Sequence, residues 1–137
     1  MRILVTGGAG YIGSHTIISL LSKEHEICVV DNYANSSPIA LDRVRRLTNH
    51  DFEQHELDIG DGPKFSAVFA EFQPKAVVHF AGLKSVGESE EKPDLYMDNN
   101  VGSTRNLLEN IKSECFFIFS SSATIYGNNP NQPLNED

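Results

Sequence analysis

The start of the chain carries a short strand-like segment that runs directly into a string of glycines. Residues 2–6 are rich in Ile, Leu and Val, and Gly7, Gly8, Gly10 and Gly13 follow before a segment of helical length. These glycines fit both G-x-x-G-x-x-G and G-x-G-x-x-G. In either spacing the main chain can approach a pyrophosphate, which the N–H groups and dipole of the next helix attract. The order strand, glycines, helix and strand favours a dinucleotide site over turn glycines alone.

Apolar segments of strand length alternate with segments of helical length. The strand candidates are residues 2–6, 27–31, 76–81 and 115–120, with 51–57 as a weaker one. The helix candidates are residues 11–22, 39–47, 63–72 and 93–111, and three of them have proline at or near the first turn. Strands that are apolar throughout suit burial on both faces. The pattern predicts an α/β fold, a doubly wound parallel Rossmann-type sheet truncated after about five strands.

Composition narrows the class of protein. A chain of 137 residues with 39% hydrophobic residues can bury one core, so we expect residues 1–137 to form one incomplete domain. A net charge of -8 argues against binding to nucleic acid or anionic membranes. No segment approaches the ~20 apolar residues that span a bilayer, and the apolar start is too short for a signal peptide. We therefore expect a cytoplasmic protein.

The second strand ends at Asp31, which indicates the cofactor. The residue lies near the ~20-residue offset at which a carboxylate accepts hydrogen bonds from the adenosine ribose. A carboxylate would repel a 2′-phosphate, and residues 32–36 supply no Arg or Lys to offset that repulsion. The sequence therefore favours NAD over NADP. The alternative is that Asp31 only caps a turn.

Cysteine and histidine give no sign of a metal site. Cys28 and Cys115 lie inside apolar segments, where single thiols are usually buried. His79 is more typical of a core histidine at a strand end than of a base. The remaining histidines have no ligand-like spacing; they are His15, His25, His50 and His55. We predict no metal.

Five stretches together resemble the UDP-glucose 4-epimerases, which are extended short-chain dehydrogenases. They are residues 7–16, 31–32, 79–89, 98–101 and 120–127. The glycine string is common to extended short-chain dehydrogenases, whereas residues 80–89 and the triple serine 120–122 are closer to the epimerases. The resemblance extends from Met1 almost to Asp137. One departure is Glu24, where the family often has a glycine that closes the helix.

The resemblance implies a set of residues that bind NAD. They are Gly7, Gly10, Tyr11, Ile12, Gly13, Asp31, Asn32, Asn35, Ser36, Asp58, Ile59, Phe80, Ala81, Gly82, Leu83, Lys84, Asn99 and Ser122. Asp58 and Ile59 are expected at the adenine, although an Asp after a strand is often only a turn former. Residues 80–84 leave the fourth strand at the carboxyl edge of the sheet, where ligands bind in such folds. Lys84 could alternatively be a solvated surface charge.

Residues 99–102 stand out inside the long predicted helix. Asn and Gly each cost up to ~1 kcal/mol of helix propensity relative to Ala. Such a departure from a local rule indicates a site. The resemblance places Asn99 at the cofactor, whereas Asn100 could equally pack against a neighbouring loop.

The resemblance also implies a substrate role for the end of the fifth strand. Ser122 is expected to hydrogen-bond the 4-hydroxyl of a UDP-sugar and the catalytic phenolate, and Thr124 to add a substrate contact. Otherwise these side chains only cap the turn. In the family, a tyrosine takes the proton of the 4-hydroxyl while hydride passes to NAD, and the keto sugar then turns over and regains the hydride on its other face.

The catalytic Tyr-x-x-x-Lys motif is not found in these residues. Four residues after Tyr11, Tyr33, Tyr96 and Tyr126 stand His15, Ser37, Asn100 and Pro130. We expect the motif and the substrate domain beyond Asp137, and no activity from this chain alone. In the complete enzyme the expected reaction interconverts UDP-glucose and UDP-galactose.

Two alternatives remain. Another extended short-chain dehydrogenase could act on a sugar nucleotide, although the Asp-Glu pair of dehydratases is replaced by Ala123 and Thr124. A non-catalytic dinucleotide-binding module is also compatible. We expect a homodimer or self-association, because the family's dimer helix corresponds to residues 93–111 and because the fifth strand, which reads as buried, would become an unpaired edge.

Overall fold

The structure is a computed structural model that describes residues 1–111, 114–128, 130 and 133–135. In these residues, five parallel strands form one sheet in the order β3-β2-β1-β4-β5. The strands are β1 (Arg2–Thr6), β2 (Glu26–Asp31), β3 (Glu53–Glu56), β4 (Ala76–His79) and β5 (Phe116–Phe119). The predicted parallel Rossmann-type sheet is confirmed. The strand order changes direction between β1 and β4, so a switch point lies at their carboxyl ends.

Helices connect the strands. They are α1 (Tyr11–Leu21), α2 (Pro38–Thr48), α3 (Gly62–Phe72), α4 (Val86–Glu91), α5 (Pro93–Tyr96) and α6 (Ser103–Asn110), with a π-helical segment (Met97–Gly102) and a 3-10 turn (Ala123–Tyr126). Local chemistry explains where two of them begin: the side chain of Ser37 caps α2 and that of Asp61 caps α3, and each helix has a proline in its first turn. None of the helices in the described residues is long and apolar enough to cross a membrane.

The sheet buries apolar side chains on both faces. Alternate residues of β1 point to opposite faces, with Ile3 and Val5 on one and Leu4 on the other. On the first face they pack against α1 and α2, and on the second against α3 and Leu107 of α6. Burial on both faces is the reason why the strands read as unbroken apolar runs.

Helix α4 is one element that the sequence analysis missed. It presents no buried residue, so its sequence has no apolar periodicity. The signal that it does carry is local, because the Ser85 side chain accepts a hydrogen bond from the N–H of Glu88. A serine followed three residues later by glutamate is the capping-box pattern that begins many helices.

The predicted continuous helix 93–111 is wrong in detail. It divides into α5, the π-helical segment and α6, with the change at the Asn and Gly residues. The N–H of Ser103 donates to the carbonyl of Asp98, five residues earlier, as a π-helix requires. Such segments are frequent at functional sites, which agrees with the interpretation of residues 99–102.

The expected unpaired edge at the fifth strand is confirmed in the described sheet. Strand β5 lies at the edge of the described sheet, where β4 is its only neighbour. The side chain of Phe116 is 70% exposed and that of Ile118 57% exposed, whereas Phe117 packs against the second face of the core. Cys115 is half-buried, in contrast to the fully buried Cys28.

Candidate nucleotide-binding site

A cavity of about 370 Å³ opens at the carboxyl ends of the strands, at the switch point between β1 and β4. Its lining is formed by Gly7, Gly10, Tyr11, Ile12, Gly13, Val30, Asp31, Asn32, Ala34, Asn35, Leu57, Asp58, Ile59, His79, Phe80, Ala81, Gly82, Leu83, Lys84, Asn99, Ser103 and Ser120. The structure thus brings together every predicted cofactor residue except Ser36 and Ser122. Ser36 is not a lining residue, but its hydroxyl donates to Oδ1 of Asp31, which is one.

The glycine turn fits closely between two strands. Gly7 has a φ of 68°, and a Cβ on this residue would lie 2.5 Å from the main-chain nitrogen of Ala81. Its N–H donates to the carbonyl of Val30 at 2.9 Å. Only glycine combines this left-handed conformation with such a close approach. The turn is therefore fixed against the loop after β4, and the two together form one side of the cavity.

The N-terminus of α1 faces the cavity without a side-chain cap. Gly10 is the N-cap residue, and no side chain accepts hydrogen bonds from the first turn. The first N–H groups of a helix need acceptors, and the helix dipole makes this end positive. Because Gly10 and Gly13 line the cavity, a pyrophosphate can reach these donors.

Asp31 accepts hydrogen bonds from the protein and can also accept one from the predicted ligand. Its Oδ2 accepts from the N–H of Ala9 at 2.9 Å, and its Oδ1 accepts from the N–H of Tyr33 and the hydroxyl of Ser36. An ionised carboxylate has about four lone-pair sites. Oδ2, with one protein partner, therefore keeps capacity for a ribose hydroxyl. The predicted alternative, a turn-forming role, is compatible with this contact.

Asp58 is held in place at the same end of the cavity. Its Oδ2 accepts from the side-chain amide of Asn32 at 2.8 Å, and its Oδ1 accepts from the N–H of Gly60 at 2.7 Å. The neighbouring Ile59 is buried and lines the cavity. A fixed carboxylate above an apolar side chain is suited to an adenine, whose exocyclic amine donates hydrogen bonds and whose ring is apolar on its faces.

The loop after β4 is clamped by the π-helical segment. Asn100 Oδ1 accepts from the N–H of Leu83 at 2.7 Å, and Asn100 Nδ2 donates to the carbonyl of Leu83 at 2.9 Å. Asn99 lines the cavity and donates from Nδ2 to Asn100 Oδ1 at 2.9 Å. The two asparagines therefore divide their roles: Asn99 faces the cavity, and Asn100 packs against the neighbouring loop, as one of the two alternatives predicted.

Two ionisable side chains lie at the two ends of this loop, His79 before it and Lys84 at its last position. Lys84 lines the cavity, so its charge faces an incoming ligand as well as solvent. His79 is only 2% exposed, which agrees with its interpretation as a core histidine. Burial, with the Lys84 charge adding to it, lowers the pKa of His79 to about 4. His79 is therefore neutral near pH 7.

Ser122 and Thr124 lie outside the lining of the cavity. Both are exposed after β5, and their hydroxyl oxygens are 2.5 Å apart in a mutual hydrogen bond. Ser120, two residues earlier, lines the cavity instead, and its N–H donates to the carbonyl of His79. The substrate roles of Ser122 and Thr124 stay predictions. Sequence reasoning missed Ser120 as a lining residue, although it belongs to the same triple serine.

One grouping of possible metal ligands lies away from the cavity. Within the described residues, ligand atoms of Cys28, Glu53 and His55 lie within 4.8 Å of one another. His55 and Glu53 already form a 2.6 Å hydrogen bond. Burial, and secondly the Glu53 charge, raises the pKa of the Cys28 thiol to about 12. A thiol must lose its proton to bind a metal, so this environment opposes binding.

Comparison with known proteins gives the family. The family model described as GDP-mannose 4,6 dehydratase matches residues 4–137. The chain is 49% identical over 139 residues to a UDP-glucose 4-epimerase of Haemophilus influenzae, and 49% identical over 139 residues to one of Bacillus subtilis. Each alignment covers 100% of this chain and 41% of the relative. The chain thus spans well under half the length of these relatives.

Solved structures show the same relationship. The chain matches a UDP-glucose 4-epimerase of Bifidobacterium longum, solved with NAD+ and UDP, with a TM-score of 0.95 and 47% identity, over 100% of this chain and 42% of that one. It matches the Brucella ovis enzyme, solved with NAD, with a TM-score of 0.87 and 36% identity, over 98% and 40%.

Proposed function

The chain belongs to the family that the GDP-mannose 4,6 dehydratase model describes, and we propose that it forms the NAD-binding part of a cytoplasmic UDP-glucose 4-epimerase. One observation carries the proposal: the uncapped N-terminus of α1 lies in a cavity between Asp31 on one side and the loop 80–84 on the other. This order of groups matches the order adenosine, pyrophosphate and nicotinamide in NAD.

The residues present fit that cofactor. Gly7 and Gly10 line the cavity at the first turn of α1, where a pyrophosphate would meet main-chain N–H groups. Asp31 would accept from the adenosine ribose, and its charge disfavours a 2′-phosphate. Asp58 and Ile59 would hold the adenine. Leu83, Lys84 and Ser120, which line the cavity at the ends of β4 and β5, would then hold the nicotinamide half.

Epimerase chemistry is favoured over dehydratase chemistry by the residues after β5. NAD, when bound, supplies a transient acceptor for the hydride at C4 of the sugar. Elimination of water would need an acid/base pair next to that carbon, and Ala123 has no ionisable group. The hydroxyl pair of Ser122 and Thr124 can instead hydrogen-bond a sugar hydroxyl and orient its proton. The relatives at 49% identity are UDP-glucose 4-epimerases.

We infer that proton transfer from the sugar needs a Tyr-x-x-x-Lys motif in addition to the residues described above. No Tyr-x-x-x-Lys motif occurs in the 137 residues, so a polypeptide of these residues alone is expected to have no epimerase activity. UDP-sugar substrates, assembly into a homodimer and the absence of nucleic-acid partners are part of the same proposal.

Calorimetric titration with NAD tests the proposed cofactor site. We expect NAD to bind and NADP to bind more weakly, and we expect Gly7→Ala to abolish binding, since its Cβ would lie 2.5 Å from Ala81 N. Gly87→Ala is the matched control, because a Cβ there meets nothing within 4 Å. Failure of the unmodified protein to bind NAD, or measurable epimerisation by the polypeptide of these residues alone, would contradict the proposal.

A further inference from the structure

A chain of hydrogen bonds runs beneath the cavity. Oγ1 of Thr6, at the end of β1, lies 2.6 Å from Nδ1 of His79 at the end of β4. Nε2 of His79 lies 2.9 Å from Oγ1 of Thr104 in α6. Oγ1 of Thr104 lies 2.6 Å from the main-chain carbonyl oxygen of Asn100. Two strands and a helix are thus joined to the π-helical segment.

The last acceptor fixes the direction of this chain. A carbonyl oxygen only accepts, so the Thr104 hydroxyl donates to Asn100 and has only its lone pairs left for His79. Nε2 of His79 therefore carries a hydrogen. Because burial keeps the ring neutral near pH 7, Nδ1 is unprotonated and accepts from the hydroxyl of Thr6. The neutral tautomer of His79 with its hydrogen on Nε2 therefore allows all three hydrogen bonds to form together.

The series of hydrogen bonds leads to the loop that lines the cavity. The Asn100 side chain pairs with both the N–H and the carbonyl of Leu83, which fixes the two peptide groups on either side of the Leu83 Cα. Asn100 and Thr104 do not line the cavity themselves. They reach it through lining residues that they contact: Asn100 through Leu83 and Asn99, and Thr104 through His79.

The adenosine end of the cavity has separate supports. Asp31 is held by Ala9, Tyr33 and Ser36, and Asp58 by Asn32 and Gly60. None of these hydrogen bonds involves Thr6, His79, Thr104 or Asn100. The two halves of the site can therefore be perturbed independently.

We propose that Thr104 and Asn100 are positioning residues for the nicotinamide half of the bound dinucleotide, because with His79 they hold the main chain on both sides of Leu83 in the loop 80–84. The inference rests on the proposed NAD site. A rigid loop matters here because a site built on pre-fixed groups binds without the cost of ordering them.

Two ligands and two variants separate this role from a general loss of structure. ADP-ribose contains the adenosine and pyrophosphate parts of NAD but no nicotinamide. Thr104→Val removes the hydroxyl with little change in shape, and we expect it to weaken NAD binding about tenfold while ADP-ribose binding changes by less than about twofold. Thr104→Ser keeps the hydroxyl and is expected to restore NAD binding.

The outcomes distinguish the two proposals. If the unmodified protein binds neither ligand, the proposed function fails and this inference falls with it. If it binds both, but Thr104→Val weakens both equally or neither, only the inference is overturned. Should Thr104→Val fail to fold, Asn100→Asp gives the same comparison, since a carboxylate cannot donate to the Leu83 carbonyl. Nitrogen-15 NMR of His79 checks the chain directly: a neutral ring protonated at Nε2 supports it, and any other form overturns it.

Discussion

Asp31 Oδ2 accepts a hydrogen bond from the main-chain N–H of Ala9 at 2.9 Å, so the carboxylate predicted to bind ribose also holds the glycine turn that is predicted to bind pyrophosphate. Two functions of the site therefore depend on one side chain. Loss of Asp31 is expected to disturb the turn as well as the ribose contact. A simple fall in NAD affinity would not separate these effects.

The ratio of NAD to NADP affinity does separate them. We expect Asp31→Ala to weaken NAD binding by roughly 1–3 kcal/mol, the cost of charge-assisted hydrogen bonds left unmade. Damage to the turn affects both cofactors alike, whereas removal of the charge favours only the 2′-phosphate. The ratio should therefore fall toward one, as measured by calorimetry. Equal affinity for both cofactors before substitution would refute the role of Asp31.

The backbone at Glu24, just after α1, is strained, and a substitution can relieve this strain. This exposed residue has a φ of 59°, the left-handed region in which a side chain costs energy, and it stands where the resembling family often has glycine. We expect Glu24→Gly to raise the free energy of unfolding by about 0.5–1 kcal/mol, measured by urea denaturation.

Asn49 supplies the matched control for Glu24. It ends α2 with a φ of 54°, a similar conformation that asparagine tolerates better than glutamate does. Asn49→Gly should therefore change stability less than Glu24→Gly. Destabilisation by Glu24→Gly would show that strain at this residue is not what limits the helix end.

His79 should make stability depend on pH. Burial lowers its pKa from 6.5 to about 4, so the unfolded chain binds a proton in a range of pH where the folded chain does not. Protonation then favours unfolding, and stability is expected to fall as pH decreases from about 6.5 to about 4, by up to about 3 kcal/mol. Stability above pH 6.5 is unaffected by this group.

Comparison with His79→Gln isolates that contribution. Glutamine can still donate to Thr104 but does not titrate, so the variant should show a shallower fall of stability below pH 6.5 in denaturation at several pH values. Carboxyl groups titrate in both proteins and cancel in the difference. Parallel stability curves for the two proteins would contradict the assigned pKa.

The sequence predicted the parts of the structure whose cause is local or periodic. Burial on both faces makes β1, β2 and β4 apolar throughout, and the glycine string follows from steric limits at Gly7. A similar limit holds at Gly13 in α1, where a Cβ would lie 2.5 Å from the carbonyl oxygen of Gly7. The strand order was not specified in this way, because right-handed crossovers allow more than one order of five parallel strands.

Other features depend on partners that a sequence pattern does not reveal. The pairing of Asn100 with Leu83 joins residues 17 positions apart, and nothing in their spacing specifies it. The exposure of β5 depends on what lies beside it, and an apolar strand at a sheet edge has the same pattern as a central one. The π-helical segment was signalled only by weak helix formers.

Strand β5 should make a polypeptide of these 137 residues self-associate. Phe116, Ile118 and Phe119 are each more than half exposed, and the strand contains no proline or lysine that would discourage pairing. A second copy could extend the sheet and cover these side chains. We expect the apparent mass from light scattering to rise with protein concentration.

Two lysine substitutions test whether β5 is the surface through which two copies associate. Ile118→Lys places a charge on the exposed edge and is expected to shift the polypeptide toward monomer. Ile39→Lys is the matched control, because Ile39 on α2 is also 57% exposed but lies away from β5. If both variants associate like the unmodified chain, β5 is not the interface, and the exposed face of α6 around Leu108 becomes the surface to change. A stable monomer at high concentration, before any substitution, would refute self-association altogether.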